Sequence, residues 1–227
     1  VLLEREDLLV KVCGITSESD ALLAVGLGAD ALGFVFAPSI RQMAPKAVER
    51  IVDRLPSGVL TVGVFRDEAP RRVVEIVNGI GLHAAQLHGS ETPNEARAVA
   101  ERVPLVIKAF PAGHPDVAEP DRYGAALVLV DGASPGSGQV FDWRLAEGVV
   151  DPRRLLVAGG LTPTNVGQAV TRLRPRGVDV ASGVEREPGR KDPALLQAFI
   201  AAARRAAAEL VEPEVDDGLF DWEEVDT

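Results

Sequence analysis

Cys13 is the only cysteine among 227 residues, so no intrachain disulfide can staple the fold, which suits a reducing compartment. Aromatic residues are also scarce, at 4% of the composition, which leaves any core largely aliphatic. No apolar run approaches the roughly 18 consecutive residues that a membrane-spanning helix needs. The opening segment VLLEREDLLV holds three acids and lacks both an uninterrupted apolar stretch and a small-residue cleavage site, so it does not read as a signal peptide. Basic residues are outnumbered, 24 against 34 acids, for a net charge of −10. A polyanion partner requires a stripe of Lys and Arg to replace condensed counter-ions, and no such stripe is present. These absences lead to the expectation of a cytoplasmic protein with neither membrane nor nucleic acid as partner. The sequence also contains no GxGxxG, Walker loop or metal-ligand cluster. Its three histidines, His83, His88 and His114, are scattered and read as structural or exposed rather than as metal ligands.

What the chain has in quantity is short runs of Val, Ile, Leu and Ala, apolar at both alternate positions, as strands covered on both faces should be. Eight stand out: VKVCGI from Val10, ALGFVF from Ala31, LTVGVF from Leu60, AAQLHG from Ala84, LVIKAF from Leu105, ALVLVD from Ala126, LLVAGG from Leu155 and GVDVAS from Gly177. Helical stretches are expected between them at Glu18–Gly26, Pro45–Leu55, Arg71–Ile80, Pro93–Arg102, Asn165–Leu173 and Pro193–Ala208, with room for a short helix at Asp142–Gly148. The first four strand starts and the last four are offset by about 95 residues, which suggests two half-chains of four βα units. Eight such units imply right-handed crossovers and a closed parallel (β/α)8 TIM barrel near its lower size limit of roughly 200 residues. An open doubly wound sheet is the alternative, but it usually has fewer parallel strands. The barrel is expected over residues 1–208. The acidic tail, 209–227, holds nine acids and no base, and leaves the remainder at 25 acids against 24 bases. Its low hydropathy and single sign of charge read as a disordered, solubilising appendage, with Leu219, Phe220 and Trp222 as the exception.

A barrel of this kind places its chemistry at the C-terminal ends of the strands, with phosphate often held after the seventh and eighth. The strand ends here offer Cys13, Arg41 in the loop after the second run, Gln86 and His88, Asp131, Gly159–Gly160, and Ser182–Gly183. Cys13 shares a strand face with Lys11. It is either a small buried hydrophobe or, beside Lys11 or Arg41, a thiol that can ionise. Asp131 either caps a turn or, among apolar neighbours, holds a proton as a general acid. The two glycine sites let backbone approach a ligand closely and together favour a phosphate site. Asn165 either caps a helix or touches the ligand. Arg41 sits in APSIRQMAP, where it is either solvated or bound to an anionic substrate group, and GASPGSG, residues 132–138, has the composition of a mobile lid or a flexible connector. Lys11, Lys108 and Asp179 lie within apolar strands, where they are expected to form a paired polar layer inside the barrel.

In combination, VKVCGIT, ALGFVF with Arg41 and Pro45, AAQLHG, VLVDG with GSGQVFDW, LLVAGGLTPTNV, and VDVASGVE with KDP resemble the phosphoribosylanthranilate isomerases of tryptophan biosynthesis, over about Val10–Arg205. The resemblance implies the barrel fold and an Amadori rearrangement of a phosphorylated small-molecule aminoaldose, with no cofactor and no metal. It implies Asp131 as general acid at the furanose oxygen and Cys13 as general base at C2′. It places Arg41 near the anthranilate carboxylate, Gln86, His88 and Asn165 among the binding residues, and the backbone of Gly159, Gly160, Ser182 and Gly183 around the phosphate. Two positions depart from the family pattern. Gly132 stands where Ser or Thr usually follows the acid, and Ala44 replaces a frequent Ser. A related isomerase of histidine biosynthesis would carry a carboxylate at position 13, and a catalytically silent barrel would have no need of the Cys13, Arg41 and Asp131 set.

Overall fold

Strand propensity and two-sided burial decide the centre of the molecule. The computed structural model describes residues 7–132, 142–148 and 150–210. Eight parallel strands close into a barrel: β1 (Leu9–Cys13), β2 (Ala31–Val35), β3 (Leu60–Phe65), β4 (Ala84–Leu87), β5 (Val106–Pro111), β6 (Leu127–Asp131), β7 (Leu155–Val157) and β8 (Gly177–Val180). Each strand pairs with its sequence neighbour, and β8 returns to β1 in a register that sets Lys11 opposite Asp179. Because side chains alternate across a strand, two cores result. Leu9, Leu60, Val62, Ile107, Leu129 and Leu156 fill the barrel interior. Val10, Val12, Val128, Val130 and Val178 face outward and pack against the helices.

Among the described residues six α-helices cover the outside: α1 (Glu18–Gly26), α2 (Pro45–Val52), α3 (Pro70–Ile80), α4 (Pro93–Ala100), α5 (Val166–Leu173) and α6 (Pro193–Ala208). Their starts are written in the sequence. Ser17 caps α1, Asp192 caps α6, and Thr92 with Glu95 forms a capping box on α4. Proline opens α2, α3, α4 and α6, where its missing N–H costs nothing. The expected helix over Pro45–Leu55 ends at Val52 and that over Pro93–Arg102 ends at Ala100. In both cases a proline, Pro56 or Pro104, lies a few residues on and turns the approaching chain away from helical geometry.

The fifth and sixth crossovers have no α-helix among the described residues. The former uses two 3-10 turns, Pro115–Ala118 and Pro120–Tyr123, and the latter has one at Trp143–Leu145, in place of the short helix expected there, and another at Pro152–Arg154. Closely spaced prolines and glycines in the former segment leave no window long enough for an α-helix. A two-stranded hairpin, β9 (Glu185–Glu187) with β10 (Arg190–Lys191), follows β8 and was not foreseen from the sequence, since its strands are short and polar. Among the described residues no helix is long and apolar enough to cross a membrane. The acidic segment 211–227 and positions 133–138 of the glycine-rich loop lie outside the described residues.

Candidate active site

At the C-terminal mouth of the barrel a cleft of about 230 Å³ opens. Cys13 at the end of β1, Gln86 and His88 at the end of β4, Asp131 at the end of β6, Gly159–Gly160 after β7 and Ser182–Gly183 after β8 all line it, and Arg41 reaches in from the β2–α2 loop. Residues separated by more than a hundred positions converge because parallel strands deliver all their C-terminal ends to one face.

Asp131 is nearly buried. Its Oδ1 accepts the N–H of Gly132 at 2.7 Å, and its Oδ2 lies 3.3 Å from His88 Nε2. Gln86 Nε2 donates to His88 Nδ1 at 2.9 Å, which leaves the ring proton on Nε2, facing the carboxylate. A chain from Gln86 through His88 thus orients Asp131. Gln86 Oε1 is buried and has no partner among the described residues, in a residue that lines the cleft. His88, set aside as a metal ligand but offered by its place at a strand end, is part of the mouth. The loop that follows it is tied down from outside the barrel. Lys108 Nζ donates to the carbonyls of Leu87, Gly89 and Ala109 and pairs with Glu91 at 2.9 Å. This corrects the expectation that Lys108 belongs to an interior polar layer. Ile107 and Ala109 occupy the interior, so Lys108, one residue out of phase, points to the helix side.

Lys11 and Asp179 do meet inside the barrel, at 2.8 Å and almost wholly buried. The Lys11 side chain shares its strand face with Cys13, and its positive charge acts on the thiol. Burial pushes the Cys13 thiol above its ordinary value of 9.0, Lys11 and Lys191 pull it back down, and Asp179 pushes it up. Across from this group β2 has a glycine. A Cβ on Gly33 would stand 2.8 Å from Cys13 Sγ and 3.1 Å from Lys11 Nζ, so only the bare backbone admits both.

Arg41 is half-buried and held by a two-pronged pair with Glu185, Nε to Oε1 at 2.8 Å and Nη2 to Oε2 at 2.6 Å. That geometry spends one edge of the guanidinium and leaves Nη1 for another anion. Glu185 in turn accepts from Lys191 at 3.0 Å. Lys191 is buried and donates as well to the carbonyls of Cys13 and Ala181, so one ammonium ties the ends of β1 and β8 to the hairpin. Burial alone would raise the Glu185 carboxyl, but the hydrogen bonds and charges of Arg41 and Lys191 hold it below its usual range. Sequence reasoning gave Glu185 and Lys191 no role. Both fall within quoted motifs, VDVASGVE and KDP, yet nothing local reveals that they are partners.

Gly159 and Gly160 both adopt positive φ, 81° and 65°, and a Cβ on Gly159 would lie 2.6 Å from Asp131 Oδ1. This turn brings backbone up beside the acid at a closeness other residues could not match. The Ser182–Val184 3-10 turn after β8 lines the adjoining part of the cleft with Ser182 and Gly183. Asn165 is not among the lining residues. Its side chain accepts from Thr162 N at 2.8 Å and donates to the Gly160 carbonyl at 2.9 Å, bracing the turn from behind. Among the described residues no group of three His, Cys, Asp or Glu side chains is arranged to hold a metal ion.

The chain is similar to known proteins in both sequence and fold. The family model described as N-(5'-phosphoribosyl)anthranilate (PRA) isomerase matches residues 10–202. The N-(5'-phosphoribosyl)anthranilate isomerase of Desulforudis audaxviator is 49% identical over 205 residues, covering 87% of this chain and 98% of that relative. The crystal structure of the Thermus thermophilus phosphoribosyl anthranilate isomerase superposes with a TM-score of 0.78 at 43% identity, over 86% of this chain and 98% of the other. A further isomerase structure, in complex with reduced 1-(o-carboxyphenylamino)-1-deoxyribulose 5-phosphate, matches at a TM-score of 0.77 and 40% identity over 87% of this chain and 99% of the other. With a matching family model over most of its length, and relatives of this identity and coverage, the chain belongs to the phosphoribosylanthranilate isomerase family.

Proposed function

We propose that the mouth of this barrel isomerises N-(5-phosphoribosyl)anthranilate to 1-(2-carboxyphenylamino)-1-deoxyribulose 5-phosphate with Asp131 as acid and Cys13 as base. The observation that carries the reading is the placement of these two proton-transfer groups on one cleft, on β1 and β6 with two strands between them, each with its own fixed partners. Asp131 protonates the furanose ring oxygen, the C1′–O bond breaks, and the nitrogen lone pair forms the C1′=N bond of a Schiff base. Cys13, as thiolate, then removes the C2′ proton. The C–H electron pair becomes the C1′=C2′ bond and the C1′=N pair returns to nitrogen, giving the enol form of the aminoketose.

The phosphorylated substrate is anionic at both ends, and the site has a donor set for each. Arg41 Nη1 suits the anthranilate carboxylate. The backbone of Gly159–Gly160 and Ser182–Gly183 suits the phosphate, where N–H groups supply hydrogen bonds without a mobile charge. The unpaired Gln86 Oε1 suits a substrate hydroxyl or amine donor, and His88 acts by orienting Asp131. A turnover assay with freshly generated phosphoribosylanthranilate, followed by loss of anthranilate-type fluorescence, tests the reading. Cys13→Ala and Asp131→Ala should each lower kcat about 10²–10⁴-fold. Full activity in either variant defeats the role assigned to that residue.

A further inference from the structure

A thiol buried beneath a substrate is a poor base unless something stabilises its ionised form. Around Cys13 the structure gathers charge from every neighbouring element. Lys11 comes from β1 itself, Asp179 from β8, Lys191 from β10, Arg41 from the β2–α2 loop and Glu185 from β9, while β2 contributes only Gly33. His88 and Asp131 form a separate pair at the ends of β4 and β6. The near group holds three cations and two carboxylates, joined in two sets: Lys11 with Asp179, and Lys191 with Glu185 and Arg41. It is therefore one positive charge in surplus until the sulfur ionises. Within it Lys11 is distinctive, since it is wholly buried, sits against the same bare glycine as the sulfur, and has a single carboxylate as its hydrogen-bond partner. Arg41 and Lys191 have other acceptors: Glu185 holds both, and Lys191 also serves two carbonyls.

We propose that Lys11, anchored by Asp179, is a positioning residue that serves as the fixed counter-ion of the Cys13 thiolate. The inference rests on the reading of Cys13 as the base. In the resting site the ammonium divides its attraction between the Asp179 carboxylate and the sulfur. When the thiolate takes the C2′ proton it becomes a neutral thiol, and Lys11 keeps Asp179 as its counter-ion, so the ammonium itself is not left unpaired by the transfer. Asp179 thereby has two opposed effects. It fixes the ammonium against the sulfur, and its own negative charge disfavours the thiolate.

Those opposed effects make the test directional. Because Cys13 is the only cysteine, the pH profile of its alkylation by iodoacetamide reports its ionisation without any turnover. In Lys11→Met the midpoint should move to higher pH, and alkylation at neutral pH should slow by about tenfold or more. In Asp179→Asn, which keeps shape and a hydrogen-bond acceptor for the ammonium, the midpoint should move to lower pH and neutral alkylation should quicken. Should Lys11→Met fail to fold, with Asp179 left buried and unpaired, the Asp179→Asn profile alone decides, and the Lys11→Met, Asp179→Asn double variant supplies a neutral pair of similar volume. An unmoved profile, or shifts of the same sign in both single variants, overturns the proposal. Activity retained in Cys13→Ala would instead defeat the reading of Cys13 as base and leave the alkylation result standing.

Discussion

Arg41 illustrates how a surface-loop arginine becomes a binding group. By itself it is a long, flexible cation, but the fork it makes with Glu185 removes that freedom before any ligand arrives. Glu185→Gln keeps the shape and weakens the fork, so KM for the anionic substrate should rise several-fold while kcat falls less, a split read from steady-state kinetics. The Glu185 carboxyl is held below its ordinary 4.5, with burial opposing and Arg41 and Lys191 prevailing. A lowered carboxyl stabilises the fold above its unfolded-state value, and that stabilisation fades as pH falls through the lower folded value. Thermal melts should therefore show a fall in Tm from about pH 4.5 downward that is smaller in Glu185→Gln. Cys13, Asp131 and the glycine pairs could be picked out from the sequence because each terminates an apolar run, and a strand end in a barrel is a site. The partner of Arg41 could not. The Arg41–Glu185 pair spans 144 positions, and no local pattern encodes a contact at that separation, whereas Lys11 and Asp179, 168 positions apart, were expected together only because both interrupt apolar strands of one barrel. Asn165, read as either a helix cap or a ligand contact, stands at the N-cap position of α5, and its amide is consumed by the Gly160–Thr162 turn.

Elements succeeded where their chemistry is local. Helix α6 runs from Pro193 to Ala208 as its cap and periodicity require, and buries Leu196, Phe199, Ile200, Ala203 and Ala206 along one side. Phe199 is completely enclosed, so Phe199→Ala should destabilise the protein by about 3–5 kcal/mol, measured by urea unfolding, through lost burial and the cavity left behind. Period-two reading placed Lys11 and Asp179 correctly but put Lys108 on the wrong face. A run apolar on both faces carries no marker of which parity points inward, so a lysine within it can answer to either side. Inside, it would have met the interior polar pair. Outside, it binds the β4–α4 loop and so braces the strand end that carries Gln86 and His88. The sixth crossover, short of helical signals, has nothing longer than the 3-10 turns Trp143–Leu145 and Pro152–Arg154 among its described residues.

Closure of the barrel depends on the two ends of the fold meeting. Arg204 on α6 donates to the Leu8 carbonyl, to Gly28 O at 3.1 Å and to Asp30 at 2.6 Å, and Asp30 accepts the Val10 N–H at 2.7 Å. This cluster sits at the strand starts, opposite the mouth. Arg204→Ala should cost about 1–2 kcal/mol of unfolding free energy, seen in a denaturant titration, with kinetics unchanged. The charge asymmetry makes a separate expectation: deletion of Val211–Thr227 should leave kcat and KM as they were while raising the isoelectric point above about 4.9. Composition, strand spacing and caps were enough to write down an eight-unit barrel, because burial on both faces and helix capping act over a few residues. The strand-end groups followed from the barrel, because its topology brings every such end to one mouth. What required the tertiary structure was the geometry of the ion pairs that orient them. Lys11 with Asp179 and Arg41 with Glu185 and Lys191 exist only because β8 closes on β1 and the hairpin folds over the rim, and Coulomb attraction depends on distance in space, to which separation along the chain is no guide.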